Sequence, residues 1–295
     1  MNPAPGDRAD RLTGPRKALL ARLLADRRKA EAAVAGRTPV SMRPPGPARV
    51  VLLHPSGGAL FCYVPLVRAL REGIGVAGFA ADPEDTALPP GDGLTATAAR
   101  IARALTAAGL PESACLAGWS YGGVLAFETA RQLERDTGRR PPVVLLDASY
   151  AEDDVPLDEP TVRRRFVHDV ARLAGRDGPK VRAVLDDPRA GEAGLRETLT
   201  SLGVEPGLTD EELADRYAVF RFCALALEAY HPPGPYGGPV TLLATAAHAP
   251  VFAERWRAVC TGPFHTGDLP GDHYTLFTQP ALGRIVTAIE QTLAS

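Results

Sequence analysis

Short apolar runs recur along this chain at RVVLLH (49–54), IGVAGFAA (74–81), ACLAG (114–118), PVVLLDAS (142–149), PVTLLAT (239–245) and near Thr261 to Leu269. A strand with one wet face alternates polar and apolar residues, whereas an uninterrupted apolar run has no wet face to offer. Segments of helical character separate several of these runs: Tyr63 to Leu70, Leu94 to Ala108, a stretch after Ser120, and a last one from about Leu282. The pattern predicts an α/β fold of the βαβ type, with a mostly parallel central sheet and helices on both faces. At 295 residues and 45% hydrophobic content the chain can bury the core that such a sheet needs. No internal repeat is visible.

Between Tyr150 and Tyr230 the strand signal gives way to helix-compatible segments, TVRRRFVHDVARLAG, GEAGLRETLTSLG and TDEELADRYAVFRFCALALEAY, separated by Gly, Pro and Asp turns. This reads as a helical insertion, about 151–231, lying over the sheet. Residues 1–47 read as an N-terminal extension to a domain spanning 48–295. Within the extension, Leu19, Leu20, Leu23 and Leu24 have the spacing of an amphipathic helix. That segment reads as a helix packed on its own domain or a partly ordered tail, or else as a docking element for a partner protein.

Composition narrows the function classes. A formal net charge of −2 gives no global attraction to nucleic acid or to an anionic membrane. The N-terminus carries no signal-peptide run and no apolar stretch is long enough to span a bilayer, so the expected location is the cytoplasm. Cys62, Cys115, Cys223 and Cys260 include none of the close pairs that mark a zinc site or a redox dithiol, and no metal is expected.

The chemistry is concentrated in Gly118-Trp119-Ser120-Tyr121-Gly122-Gly123, where an apolar strand turns into a helix. Such a sharp turn holds its central residue in a strained conformation and demands small neighbours on both sides, which explains glycine at 118 and 122. A serine hydroxyl needs a base to become a nucleophile, and a histidine base works best when a carboxylate fixes its tautomer. Asp147 ends the next strand at the same carboxyl edge of the sheet, where open α/β sheets place their sites. His273 lies in LPGDHYTLF, after the last strand and before the last helix, completing the chain order Ser, Asp, His. The other histidines sit before the first glycine turn, in the insertion, or in or beside strands. For an oxyanion, the amide of Tyr121 at the start of the helix is one donor. The turn His54-Pro55-Ser56-Gly57-Gly58 offers a second, assigned to Gly57 to within one residue. A phosphate-binding glycine loop would require a Lys or a longer glycine fingerprint, and neither is present.

Taken in order, HPSGGALFCYVPLVRAL, AGWSYGGVLAFETARQL, VVLLDAS, YHPPGPYGGPVTLL and GDHYTLF resemble the thioesterase family of nonribosomal peptide and polyketide synthesis. The resemblance runs from about Ala48 to the C-terminus, the insertion excepted. It implies an α/β-hydrolase fold with Ser120, Asp147 and His273 as a triad, Tyr121 and Gly57 as the oxyanion hole, and 151–231 as a lid. It further implies that Ser120 takes an acyl, peptidyl or polyketide chain from the phosphopantetheine thiol of a carrier protein or synthase module. Hydrolysis, or transfer to a hydroxyl or amine, cyclisation included, then releases the chain. No cofactor of the enzyme's own is implied. Editing members of the family carry their acid after the later strand, but AAHAPVFAERW offers no aspartate, so the acid at 147 resembles that of a product-releasing enzyme. The initial methionine reads as a freestanding enzyme recruited in trans, with 11–34 as its docking candidate. Two alternatives remain open: a carboxylesterase or lipase acting on free esters, and a non-catalytic scaffold that binds a carrier protein.

Overall fold

The computed structural model describes residues 38–150, 157–205 and 207–294. Its strands are β1 (Val40–Arg43), β2 (Ala48–Leu53), β3 (Ile74–Phe79), β4 (Ala114–Trp119), β5 (Val143–Leu146), β6 (Val240–Thr245) and β7 (Phe264–Leu269). They form one seven-stranded sheet in the order β1-β3-β2-β4-β5-β6-β7. All neighbours pair in parallel except β1 with β3. Helices α1 (Val64–Ala69), α2 (Pro90–Ala108), α3 (Tyr121–Thr137), α9 (Ala249–Val259) and α10 (Ala281–Ala294) belong to this body.

The apolar runs do what a two-sided sheet requires. Alternate residues of one run go to opposite faces: Val51, Leu53, Leu116, Val143 and Leu145 join a core with residues of α2 and α3. Val50, Leu52, Cys115, Val144 and Leu146 join a second core with residues of α1 and α10. Each fully buried aliphatic side chain contributes about 1.5–3 kcal/mol relative to exposure.

Two elements lacked a signal in the sequence. β1 lies inside the stretch read as an extension before residue 48, so the sheet begins earlier than that boundary. Its residues are exposed or half-buried, as an antiparallel edge strand allows, and it therefore has no apolar run. Helix α9, between β6 and β7, buries only Trp256 fully. The segment 11–34, read as a docking helix, lies outside the described residues.

The insertion contains α4 (Glu159–Leu173), α5 (Pro179–Ala183), α6 (Pro188–Glu192), α7 (Leu195–Ser201) and α8 (Asp210–Glu228). These helices close around a core of their own, with Val162, Phe166, Val167, Leu199 and Leu213 at its centre. Helix α8 also packs along α2, where Phe222 faces Gly93 so closely that an added Cβ would lie 2.7 Å from the ring. Among the described residues no helix is long and apolar enough to cross a membrane.

Candidate active site

Ser120 stands between β4 and α3 with φ 57° and ψ −128°, a conformation that costs an L-residue on the order of 1–3 kcal/mol. The surrounding backbone over-determines it. Ser120 N–H donates to the Leu146 carbonyl at 3.1 Å, and its own carbonyl accepts from Gly123 N–H at 2.9 Å. A Cβ on Gly118 would lie 2.1 Å from the Gly122 carbonyl carbon, and one on Gly122 would lie 2.3 Å from the Leu53 oxygen. The glycines are thus required by close backbone approach. Tyr63, fully buried, adds a tie below the turn: its hydroxyl donates to the Leu53 carbonyl at 2.7 Å and accepts from Trp119 N–H at 2.9 Å.

Asp147 follows β5 directly, with φ 47° and its N–H donating to the Leu243 carbonyl at 2.7 Å. Its carboxylate is inaccessible to solvent. Oδ1 accepts from Thr245 N–H at 2.9 Å and from the Thr245 hydroxyl at 3.1 Å. Oδ2 accepts from His273 Nδ1 at 2.7 Å and from His248 Nδ1 at 2.9 Å. Burial alone would raise the carboxyl pKa, but the His273 hydrogen bond and charge, with smaller help from Thr245 and His248, bring it down to about 2. Asp147 is therefore ionised throughout the working range. With Nδ1–H committed to that carboxylate, the Nε2 lone pair of His273 is left to accept a proton. The His273 ring is further held by Trp119, with centroids 5.0 Å apart.

The structure thus brings Ser120, Asp147 and His273 to one cleft of about 620 Å³, which Ser56, Ser149, Phe220 and Phe252 also line. Tyr121 opens α3 immediately behind Ser120, and Gly57 lines a narrower adjoining lobe of about 70 Å³ together with Ser120 and Trp119. Gly58, the neighbouring choice, already gives its N–H to the Pro55 carbonyl at 2.8 Å.

Sequence reasoning set His248 aside because it lies beside a strand. That strand is β6, the neighbour of β5, so a residue just past its end arrives at the Asp147 carboxylate. The informative signal was position at the carboxyl edge of the sheet, which applies to every parallel strand. Thr245, the last residue of β6, escaped notice for the same reason. Asp147, His248 and His273 have donor atoms within 4.8 Å of one another, a grouping that could hold a metal ion. In the structure those atoms are engaged with each other through the hydrogen bonds just described.

The lid residues divide. Phe166 and Leu173 line the narrow lobe and Phe220 the wide cleft. Leu199 is buried inside the lid core with Leu195 packed against it, and Phe222 belongs to the body core. In the arginine cluster, Arg163 lies over the Tyr217 ring, Arg164 donates to the Leu185 carbonyl at 3.0 Å, and exposed Arg165 lines the cleft. Helix α4 also carries Asp169, which lines both lobes and which nothing in the sequence singled out.

The model of the thioesterase domain matches residues 48–293. Pyochelin synthetase PchF of Pseudomonas aeruginosa is 30% identical over 275 residues, a match covering 83% of this chain and 15% of that protein. The chain therefore spans only a small part of that relative. Among solved structures, the Vlm2 thioesterase domain superposes with a TM-score of 0.60 at 20% identity, covering 87% of this chain and 97% of that one. RedJ, a thioesterase from the prodiginine biosynthetic pathway of Streptomyces coelicolor, does so with a TM-score of 0.55 at 22% identity, covering 84% and 91%.

Proposed function

Because this chain belongs to the thioesterase domain family, we propose that it releases an acyl, peptidyl or polyketide chain from the phosphopantetheine arm of a carrier protein through an acyl-enzyme on Ser120. The observation that carries the reading is the Asp147–His273 pair at 2.7 Å, opening on the same cleft as Ser120. His273 Nε2 takes the Ser120 proton as Oγ attacks the thioester carbonyl. The amides of Tyr121 and Gly57 hold the oxyanion of the tetrahedral intermediate. Collapse breaks the C–S bond, and the pantetheine thiol leaves with the proton from His273. Water, or a hydroxyl or amine, then attacks the acyl-enzyme with His273 again as base. The partner is a carrier protein or synthase module, and the enzyme's own residues supply the chemistry without a bound cofactor. The lid, placed over the cleft, governs which chains enter and how much water follows them.

The test is intact-protein mass spectrometry of the wild type and Ser120→Ala after mixing each with a carrier protein bearing a medium-length acyl pantetheine thioester. An adduct on the wild type alone, with loss of the acyl group from the carrier, is expected. Turnover roughly 10⁶-fold slower in Ser120→Ala should accompany it. Hydrolysis of simple esters with no adduct from the carrier would transfer the site to free-ester chemistry, and retained turnover in Ser120→Ala would remove the nucleophile assignment.

A further inference from the structure

Asp169 is out of keeping with its surroundings. It projects from the lid helix α4 into the junction between the two lobes of the reaction cavity, and both lobes are also lined by Ser120. On the narrow side Ala59, Phe61, Phe166, Val170 and Leu173 line the wall, with Ser56, Cys62 and Arg216 among the polar residues there. A carboxylate facing such a wall is costly unless paired. Among the described residues it forms no ion pair with a Lys or Arg; the His273 charge acts on it, and the nearby Tyr274 hydroxyl lies 3.4 Å from His168 Nδ1. Arg216 lines the same lobe but makes no ion pair with Asp169. Nearby Arg172 is engaged elsewhere, with Asp177 and Asp272. Burial raises the Asp169 carboxyl to about 6, with the His273 charge opposing the rise. The carboxyl thus stands at the junction of the two lobes beside Ser120 with no Lys or Arg paired to it.

We propose that Asp169 is a recognition group for a basic nitrogen carried on the acyl chain, so that the preferred substrates are aminoacyl or otherwise cationic thioesters rather than plain fatty acyl thioesters. The assignment rests on the thioesterase reading above and adds the substrate class to it. An ammonium on the chain supplies the missing counter-charge at the junction, while the carbonyl is held at Ser120. A plain alkyl chain of the same length leaves the carboxylate facing methylene groups. The discrimination comes from the unsatisfied acid as much as from the contact.

The experiment compares N-acetylcysteamine thioesters of ω-aminohexanoic and ω-aminooctanoic acids with their methyl-terminated isosteres, the heptanoyl and nonanoyl thioesters. Wild type, Asp169→Asn and Asp169→Leu are each assayed. A hydrogen bond to a charged group predicts a preference in kcat/KM of roughly tenfold to a hundredfold for at least one aminoacyl chain in the wild type, expressed mainly in KM. Asp169→Asn should shrink that preference, and Asp169→Leu should turn it toward the alkyl chain, with alkyl turnover kept or improved. Equal handling of both chains by the wild type overturns the assignment. So does an equal fall for both chains in the two variants, which is the result of a mere prop for Tyr274 and the His273 loop. Failure of the thioesterase reading is recognised separately: folded wild type would then turn over none of the four thioesters.

Discussion

The carboxyl edge of the sheet holds Ser120 and Asp147 at positive φ, and these are the only non-glycine residues in that conformation among those described. In the lid, Phe166, Asp169 and Phe220 reach the same cavity from ordinary helical backbone. Each lid residue can change its side chain while the helix stays as it is. At the edge, position is set by backbone hydrogen bonds and by clearances such as the 2.1 Å that a Cβ on Gly118 would meet. The difference bears on where the proposed function would store each property: chemistry at the edge, and choice of chain in the lid.

The comparison breaks first if an edge residue proves as tolerant as a lid residue. In Asp147→Asn the new amide would confront the Nδ1–H groups of both His248 and His273 with a donor, or force His273 into the wrong tautomer. Turnover should fall roughly 10⁴-fold with the fold kept, measured as kcat on a carrier-bound or N-acetylcysteamine thioester. Leu173→Ala, on the lid wall, should change kcat/KM by no more than about tenfold and mainly between chain lengths. The acid also carries a pH signature. Its folded pKa of about 2 lies below the ordinary carboxylate value, so it contributes stability that is fully present above about pH 4 and lost as pH falls through about 2. Roughly 2 kcal/mol is involved, and acid unfolding of wild type against Asp147→Asn would measure it.

What could be read beforehand follows the same division. The doubly buried strands and the glycines around Ser120 leave local marks, because an apolar run and a GxSxG turn are each written in consecutive residues. The order Ser, Asp, His then locates the triad, since each parallel strand ends at one edge. β1 was hidden because an edge strand needs no apolar run. His248 and Asp169 were hidden for a different reason. Their roles depend on which element lies beside which: β6 beside β5 for His248, α4 over the cleft for Asp169. A lone His after a strand, or an Asp in an amphipathic helix, has no local signature of such a neighbour.

His248 tests whether the edge tolerates any adjustment. It is a positioning residue, half-exposed, touching the acid and not the reacting atoms. His248→Ala removes one of the two donors to Asp147 Oδ2 and leaves Thr245 and His273 in place. Activity should drop by about tenfold, the worth of one hydrogen bond to a charged acceptor. An unchanged kcat would reduce His248 to a packing role. His248→Asn, which keeps a donor, should recover part of the activity.

The smallest effect is expected where lid and edge are tied together. Arg172, near the end of α4 and almost buried, donates to Asp272 at 2.5 Å, one residue before His273, and its guanidinium lies over the Tyr274 ring at 5.0 Å. It also pairs with Asp177, just beyond α4. The lid thus holds the loop that presents the base. Arg172→Gln keeps much of the stem packing but loses the fork between the two carboxylates. Because the Asp147 bond still orients His273, kcat should fall only a few-fold, while the melting temperature falls by a few degrees. Arg165→Gln, an exposed neighbour on the same helix, should leave the melting temperature unchanged. If Arg172→Gln instead costs as much as His248→Ala, the lid takes part in fixing the base, and the division between chemistry at the edge and choice in the lid gives way at this residue.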